Sequence, residues 1–368
     1  MKITEIRAIT CTVPLSQPII LGEIRYEARD YLMVEVRTDE GLSGIGFGNA
    51  RHAPLAEIVV NNLAPLLLGQ DPALIERLWD RMYYANLLIG QRGIFMRALS
   101  AVDIALWDLK GKVAGMPVWQ LLGGFRERVP ALMAGGYPAA GKDADDLQRE
   151  VADYVARGFR MVKLAAEDLA VDTSRLEAAR ASSPDFQLMY DAHWSWRDIS
   201  KILSVVRTWE AFDLGWIEDP FPSELTGLTA RLHDRIDIPL ALGEDLAGRW
   251  AFRDLLRQGT ADVIRVDATS AGGLSEAVRI CALAGAEALP VSPHSFPEVH
   301  VHLGAGLSQV NAVEMTDPPQ EINLLHKLLL SRLDIQNGEV LAPSSPGLGV
   351  EVNWTAVAQY RGTVLKRQ

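Results

Sequence analysis

Lys163, Asp191, His193, Glu218, Glu244, Asp267, His294 and Glu314 each sit at the end of a short apolar run in this 368-residue chain. Counting from Asp191 and omitting His193, the steps between them are 27, 26, 23, 27 and 20 residues. Each step is about one strand-plus-helix unit, so these side chains can ring a single opening. Strand alternation gives Asp191 and His193 the same parity, so both can face inward while Ala192 does not. Asp191, Glu218 and Glu244 would then converge from three adjacent strands. Without a cation, three carboxylates in a partly buried site repel one another severely. A divalent ion removes that penalty, and an all-oxygen set favours a hard one such as Mg²⁺. Taken singly, each acid could be a solvated loop residue or a helix N-cap; a shared cation accounts for all three at once. Asp267 and His294 end neighbouring runs, which permits a hydrogen-bonded dyad. The carboxylate would fix the imidazole tautomer and make the ring a better base. Alone, His294 could be a core histidine, and His300 and His302 in VHVHLGAGL read mainly that way. Glu314 could meet a substrate or cap a helix.

The elements that must position these groups follow from the same runs. From Val129 onward VPALMA, RMVKLA, QLMYDAH, GWIEDP, PLALGED, DVIRVD, LPVSPHS and NAVEM alternate with amphipathic segments such as DDLQREVADYVARG and LSEAVRICALAGA. Eight buried strands alternating with one-sided helices predict a parallel (β/α) TIM-type barrel, whose reactive groups lie at the C-terminal strand ends. Before it, KITEIRAITCTV, YLMVEVRT and LSGIGFGN read as an antiparallel meander turning at Asp39-Glu40-Gly41. Helices are expected over Pro54–Leu68, Asp71–Leu87 and Phe95–Val113. SQPIILGEIRYEARD is too long for a tight turn and reads as a lid or binding loop. The expected units are an α+β capping domain over 1–125, the barrel over 126–340, and a segment over 341–368 that packs back on the cap.

Composition removes several classes of function. Net charge is −11 with no Lys/Arg-rich block, so neither nucleic acid nor an anionic membrane is expected as a partner. The two cysteines, Cys11 and Cys281, offer no disulfide framework and no thiolate metal cluster. The alternating MKITEIRAIT is unlike a signal peptide, and no apolar run approaches the roughly 20 residues that span a bilayer. A soluble, cytoplasmic homo-oligomer acting on a small molecule is expected. No Gly-rich phosphate loop precedes a helix, which disfavours a phosphotransferase.

The ordered set of motifs resembles the enolase superfamily, mandelate racemase subgroup. It comprises the VDIALWD helix, a lysine in the second run, Asp-x-His, W-x-E-D-P, G-E, an Asp before a Gly-Gly turn, P-H-S and a PGLG tail. The resemblance covers nearly the whole chain. It implies a modified (β/α)₇β barrel in which Asp191, Glu218 and Glu244 bind Mg²⁺. It also implies that Asp267–His294 is the general-base dyad, and that Glu314 hydrogen-bonds the substrate carboxylate. In that chemistry a base removes a proton beside a carboxylate and Mg²⁺ stabilises the ene-diolate.

One departure narrows the reaction. The family commonly has Lys-x-Lys in the second run, with the second lysine as a base on the face opposite the histidine; here the row is Val162-Lys163-Leu164-Ala165. Ala165 cannot take a proton, so racemisation or epimerisation loses support. Proton abstraction by His294 from one face, followed by loss of a β leaving group, remains. Lys163 could orient the carboxylate or stand in for the missing base. His193 resembles the general acid of members that dehydrate acid sugars; otherwise it is a supporting residue or a spacer before Trp194 and Trp196. An acid-sugar dehydratase is therefore expected. A cycloisomerase of a sugar lactone or anhydro sugar acid is the alternative, and a non-catalytic sugar-acid binder the non-enzyme reading. Arg25, Arg51, His52 and Tyr137 are the candidate substrate contacts.

Overall fold

The computed structural model describes residues 1–21, 24–139 and 141–368. Strands β1 (Ile3–Leu21), β2 (Ile24–Thr38) and β3 (Ser43–Asn49) form the expected antiparallel meander. Alternation along them feeds two cores. Ile6, Ala8, Leu32, Val34 and Val36 pack under the capping helices, whereas Ile9, Cys11, Val13, Tyr31 and Met33 join the core of the barrel. Burial on both faces explains why β1 and β2 carry so few charges at their centres. The helix Ile94–Ala114 lies directly on the β3 backbone. A Cβ added at Gly44 or Gly46 would fall 2.0 or 1.9 Å from the carbonyl oxygens of Ala105 or Ala101, so only glycine permits that approach.

The segment expected to be a loop, Ser16–Asp30, is instead mostly strand. Beyond an irregularity between Pro14 and Ile19, β1 and β2 continue as a hairpin arm in which Ile19 pairs with Tyr26. Its β-branched and aromatic residues supply the strand preference that its polar positions disguise. Gly22 and Glu23 lie outside the described residues. The expected helix over Asp71–Leu87 is shorter, Ile75–Tyr84, because Asp71 closes a turn on the backbone N–H of Ala73.

The barrel strands are β4 (Arg128–Gly135), β5 (Met161–Ala165), β6 (Gln187–Asp191), β7 (Leu214–Glu218), β8 (Leu240–Leu242), β9 (Val263–Ile264) and β10 (Val313–Thr316). They pair in parallel from β4 to β9, and β10 returns to β4. The seventh run contributes only Val291, bridged to Ile264 and Val310. Pro290 and Pro293 flank it and lack the N–H groups a longer ladder needs. After β10 the chain forms 3₁₀ turns, then a hairpin of β11 (Ile335–Gln336) and β12 (Glu339–Leu341) against β4. Finally β13 (Arg361–Arg367) pairs with β1, adding the chain's end to the capping sheet. We propose the division at about residues 125 and 340 because strand pairing changes partner there.

Buried polar groups pin cap to barrel. Asp103 accepts from the N–H and hydroxyl of Ser275, at 3.0 and 2.6 Å, and so holds the helix that follows Asp267. Asp108 accepts from the backbone of Ile45 and of Leu348, both at 2.8 Å. His302 accepts from the Trp119 N–H through Nδ1 and donates to the Leu348 carbonyl through Nε2, which leaves the ring neutral. Burial pushes His302 down to about 4. The unfolded chain takes up this proton near pH 6.5 and the folded chain does not, so stability falls as pH drops from about 6.5 through 4. The full effect is about 3 kcal/mol. His302→Gln, which can keep both bonds, should flatten this limb in urea unfolding at pH 7 and pH 4.5; an unchanged pH dependence contradicts the assignment.

Candidate active site

The C-terminal strand ends and the capping sheet enclose a cavity of about 430 Å³. Lys163, Asp191, His193, Glu244, His294 and Glu314 line it, while Glu218 and Asp267 lie just beneath. Lys163 Nζ lies 3.0 Å from Asp191, 2.9 Å from Glu218 and 3.0 Å from Glu314. Burial works against its charge, but these three carboxylates hold the ammonium well above the usual lysine range. This enclosure favours the orienting role of Lys163 over that of substitute base. Arg265, fully buried, lies 3.0 Å from Glu218 and also pairs with Glu314. Glu314 is held below the usual range, against burial, by Lys163 and Arg265. Arg265 escaped the sequence reading, although its parity with Asp267 in DVIRVD already turns it inward.

Among the described residues, no lysine or arginine makes an ion pair with Glu244. Burial, reinforced by Asp219, Glu218 and Asp191, pushes its carboxyl well above the usual range. Ligand atoms of Glu218, Asp219 and Glu244 lie within 4.8 Å of one another, and Asp219 Oδ2 is buried without a hydrogen-bond partner. Asp219 was not among the expected ligands. Alternation would turn it away from Glu218, but its φ of 40° brings it back. Asp191 is linked to Glu218 through Lys163. The all-oxygen set and its uncompensated charge fit a hard divalent cation.

Across the mouth lies the dyad. His294 Nδ1 is 3.2 Å from Asp267 Oδ2, and Nε2 is 3.3 Å from Glu244. Asp267 also accepts from the N–H and hydroxyl of Thr269. Although burial raises Asp267, the His294 bond brings it down to about 2. His300 accepts the Ala268 N–H and donates to the Ser295 carbonyl, which fixes the loop bearing Asp267. Arg97, from the helix Ile94–Ala114, lines a smaller cavity with Asp267, Glu244 and His294.

His193 and Trp194 adopt φ of 48° and 53°. This turn carries the His193 N–H to within 3.0 Å of Asp191 and its Nε2 to 3.4 Å, while Nδ1 is buried without a partner. Tyr137 and Arg51 line the cavity, with Arg51 3.2 Å from the Tyr26 hydroxyl. Two expected substrate contacts do not reach it. Arg25 is exposed beside Glu27 on an adjoining groove, and His52 pairs with Asp30 at 2.9 Å. Arg29 and Trp194 line the cavity instead.

The sequence matches the family described as mandelate racemase / muconate lactonizing enzyme, N-terminal domain, over residues 3–123. Residues 146–356 match the enolase C-terminal domain-like family. The chain belongs to the enolase superfamily. Within it, this member is 32% identical to an arabinonate dehydratase of Saccharolobus solfataricus over 90% of this chain and 91% of that one. It is 33% identical to a D-galactarolactone cycloisomerase of Agrobacterium fabrum, over 98% and 99%. An L-talarate dehydratase of Polaromonas sp. JS666, solved with Mg and L-glucarate, superposes with a TM-score of 0.89 at 31% identity, over 100% of this chain and 99% of that one. The expected superfamily, capping domain and (β/α)₇β barrel are thus borne out. No helix among the described residues is long and apolar enough to cross a membrane.

The acid cluster makes a metal-linked stability prediction. Mg²⁺ at a hundred times its dissociation constant should add about 2.7 kcal/mol to folding stability. Asp191→Asn or Glu244→Gln should abolish that gain in thermal melts, and a wild-type melt indifferent to Mg²⁺ and EDTA contradicts the site.

Proposed function

We propose that this protein is a Mg²⁺-dependent acid-sugar dehydratase. The observation that carries the reading is the Asp267–His294 dyad, with His294 Nε2 turned into the cavity beside Glu244. Asp191, Glu218 and Glu244 would hold the ion, with Asp219 adjoining. Mg²⁺ there would supply positive charge against the negative charge that grows on the substrate carboxylate as the α-proton leaves. Lys163 orients that carboxylate, while Glu314, ionised between Lys163 and Arg265, has no proton to donate to it and instead holds Lys163 in place.

Asp267, ionised, accepts the Nδ1 proton of His294 and leaves the Nε2 lone pair free. Nε2 takes the α-proton and the electrons of the C–H bond first pass into the carboxylate; in a second step they return to form the C=C bond as the β C–O bond breaks. His193 gives the leaving hydroxyl a proton, water departs, and the enol tautomerises to a 2-keto-3-deoxy acid. His193 and His294 come from the third and seventh of eight barrel stations, which stand across the mouth from one another. Ala165, paired in register with Asp191, offers no group to return a proton from a second face, which favours elimination over racemisation. A cycloisomerase would use the same base with a different leaving group, and the names of the relatives include both reactions.

An acid-sugar library in D₂O separates the steps. His294→Asn should lower both α-proton exchange and elimination by about 10³-fold. His193→Asn should lower elimination by about 10²-fold or more while exchange stays within about tenfold of wild type. Equal loss of both in the His193 variant refutes its acid role, and exchange that survives in His294→Asn refutes the base.

A further inference from the structure

Four buried nitrogen atoms on the cavity wall have no hydrogen-bond partner among the described residues: Arg29 Nε and Nη2, Trp194 Nε1 and His193 Nδ1. His193 is already assigned to the leaving group. The other three can only donate. Arg29 Nε and Nη2 form one edge of the guanidinium, the pair of parallel N–H groups that meets both oxygens of a carboxylate.

Among the described residues, no acid pairs with Arg29. Its guanidinium lies over the Tyr26 ring at 4.9 Å. Burial lowers its pKa; the nearest titratable groups are the Tyr31 and Tyr137 phenols, the Arg51 guanidinium and Tyr26. Arg51 donates to Tyr26 and not to a carboxylate. Asp30, the adjacent acid, is taken by His52 and Thr12. The proximal end differs, because Lys163 is matched by Asp191, Glu218 and Glu314. Arg29 therefore faces the cavity from the capping side with buried, unmet donors, and the exposed Arg51 lies beside it. Leaving such donors unmet inside a closed site is costly, so the ligand must bring the acceptors.

We infer that the substrate is a dicarboxylic acid sugar, an aldarate, whose second carboxylate is held edge-on by Arg29, with Arg51 and Trp194 Nε1 beside it. The inference rests on the dehydratase reading above and specifies its substrate class. Arg29 and Trp194 become specificity-determining residues. A terminal CH₂OH, as in an aldonate, leaves the Arg29 edge half satisfied and its charge unanswered.

Matched pairs that differ only at C6 test it: D-glucarate against D-gluconate and galactarate against D-galactonate, each with Mg²⁺. The aldarate of the productive configuration should exceed its aldonate by about 100-fold or more in kcat/KM, the scale on which a site with unmet buried donors rejects a poor match. Arg29→Gln should cut that ratio by about 30-fold or more, and Arg29→Lys, which keeps the charge without the fork, by less. Calorimetric binding in the His294→Asn background gives a readout independent of turnover: aldarate affinity should fall with Arg29→Gln. If Arg29→Gln does not fold, Arg29→Lys carries the same comparison. An aldonate preference in the wild type, or a ratio unmoved by folded Arg29 variants, overturns the inference and leaves the dehydratase reading standing. Absence of Mg²⁺-dependent α-proton exchange on every acid of both classes overturns that reading instead.

Discussion

Repulsion among acids at one end of the barrel is the constraint to which the rest of the structure answers. Asp191, Glu218, Asp219, Glu244 and Glu314 crowd a space that water barely enters. Ionised carboxylates brought so close in low dielectric need counter-charge close by. Lys163 and Arg265, both buried, meet the side formed by Asp191, Glu218 and Glu314. Among the described residues, no lysine or arginine makes an ion pair on the Asp219–Glu244 side. Burying an arginine and a lysine to balance one flank while leaving the other uncompensated is poor design for stability alone. It suits a centre whose remaining charge arrives with a metal ion.

The barrel and its ring of reactive groups were legible because a strand end recurs every 20 to 27 residues and polar residues there break otherwise apolar runs. Parity then separated Asp191 and His193 from Ala192. Three features were not legible, each for a physical reason. Asp219 reaches its neighbours through a left-handed backbone conformation that no alternation rule anticipates. The seventh strand shrank to Val291 because Pro290 and Pro293 withhold ladder N–H groups, although the run is as apolar as a full strand. Arg29 resembled a solvated loop charge because its hairpin arm read as a loop. Arg265 belongs to a different group: its signal was present in the inward parity of DVIRVD.

Cap and barrel are parts of one packed body. The VDIALWD helix looks apolar, yet its two aspartates tie it to the segment after Asp267 and to the returning tail. Through Ser275, Asp103 fixes the helix Gly273–Ala286, which follows the short turn of helix capped by the dyad's carboxylate. Through Asp108 and His302, the tail near Leu348 is fixed to the cap's longest helix and to Trp119. Residues far from the cavity thus set the position of a proton acceptor at its edge.

The irregularity between Pro14 and Ile19 in the hairpin arm has an evolutionary corollary. On β2, Arg29 and Tyr31 share one face, and Asp30 lies on the other. A single-residue insertion or deletion that slid this pairing by one step would exchange Arg29 for Asp30 at the cavity wall, reversing the sign of the charge presented there. Length changes toward the arm's tip, beyond the irregularity, would leave Arg29 in register. Lineages that diversify by indels can therefore reshape the tip freely, whereas the pairing of Cys11–Val13 with Arg29–Tyr31 behaves as a frame whose reading is either kept or inverted.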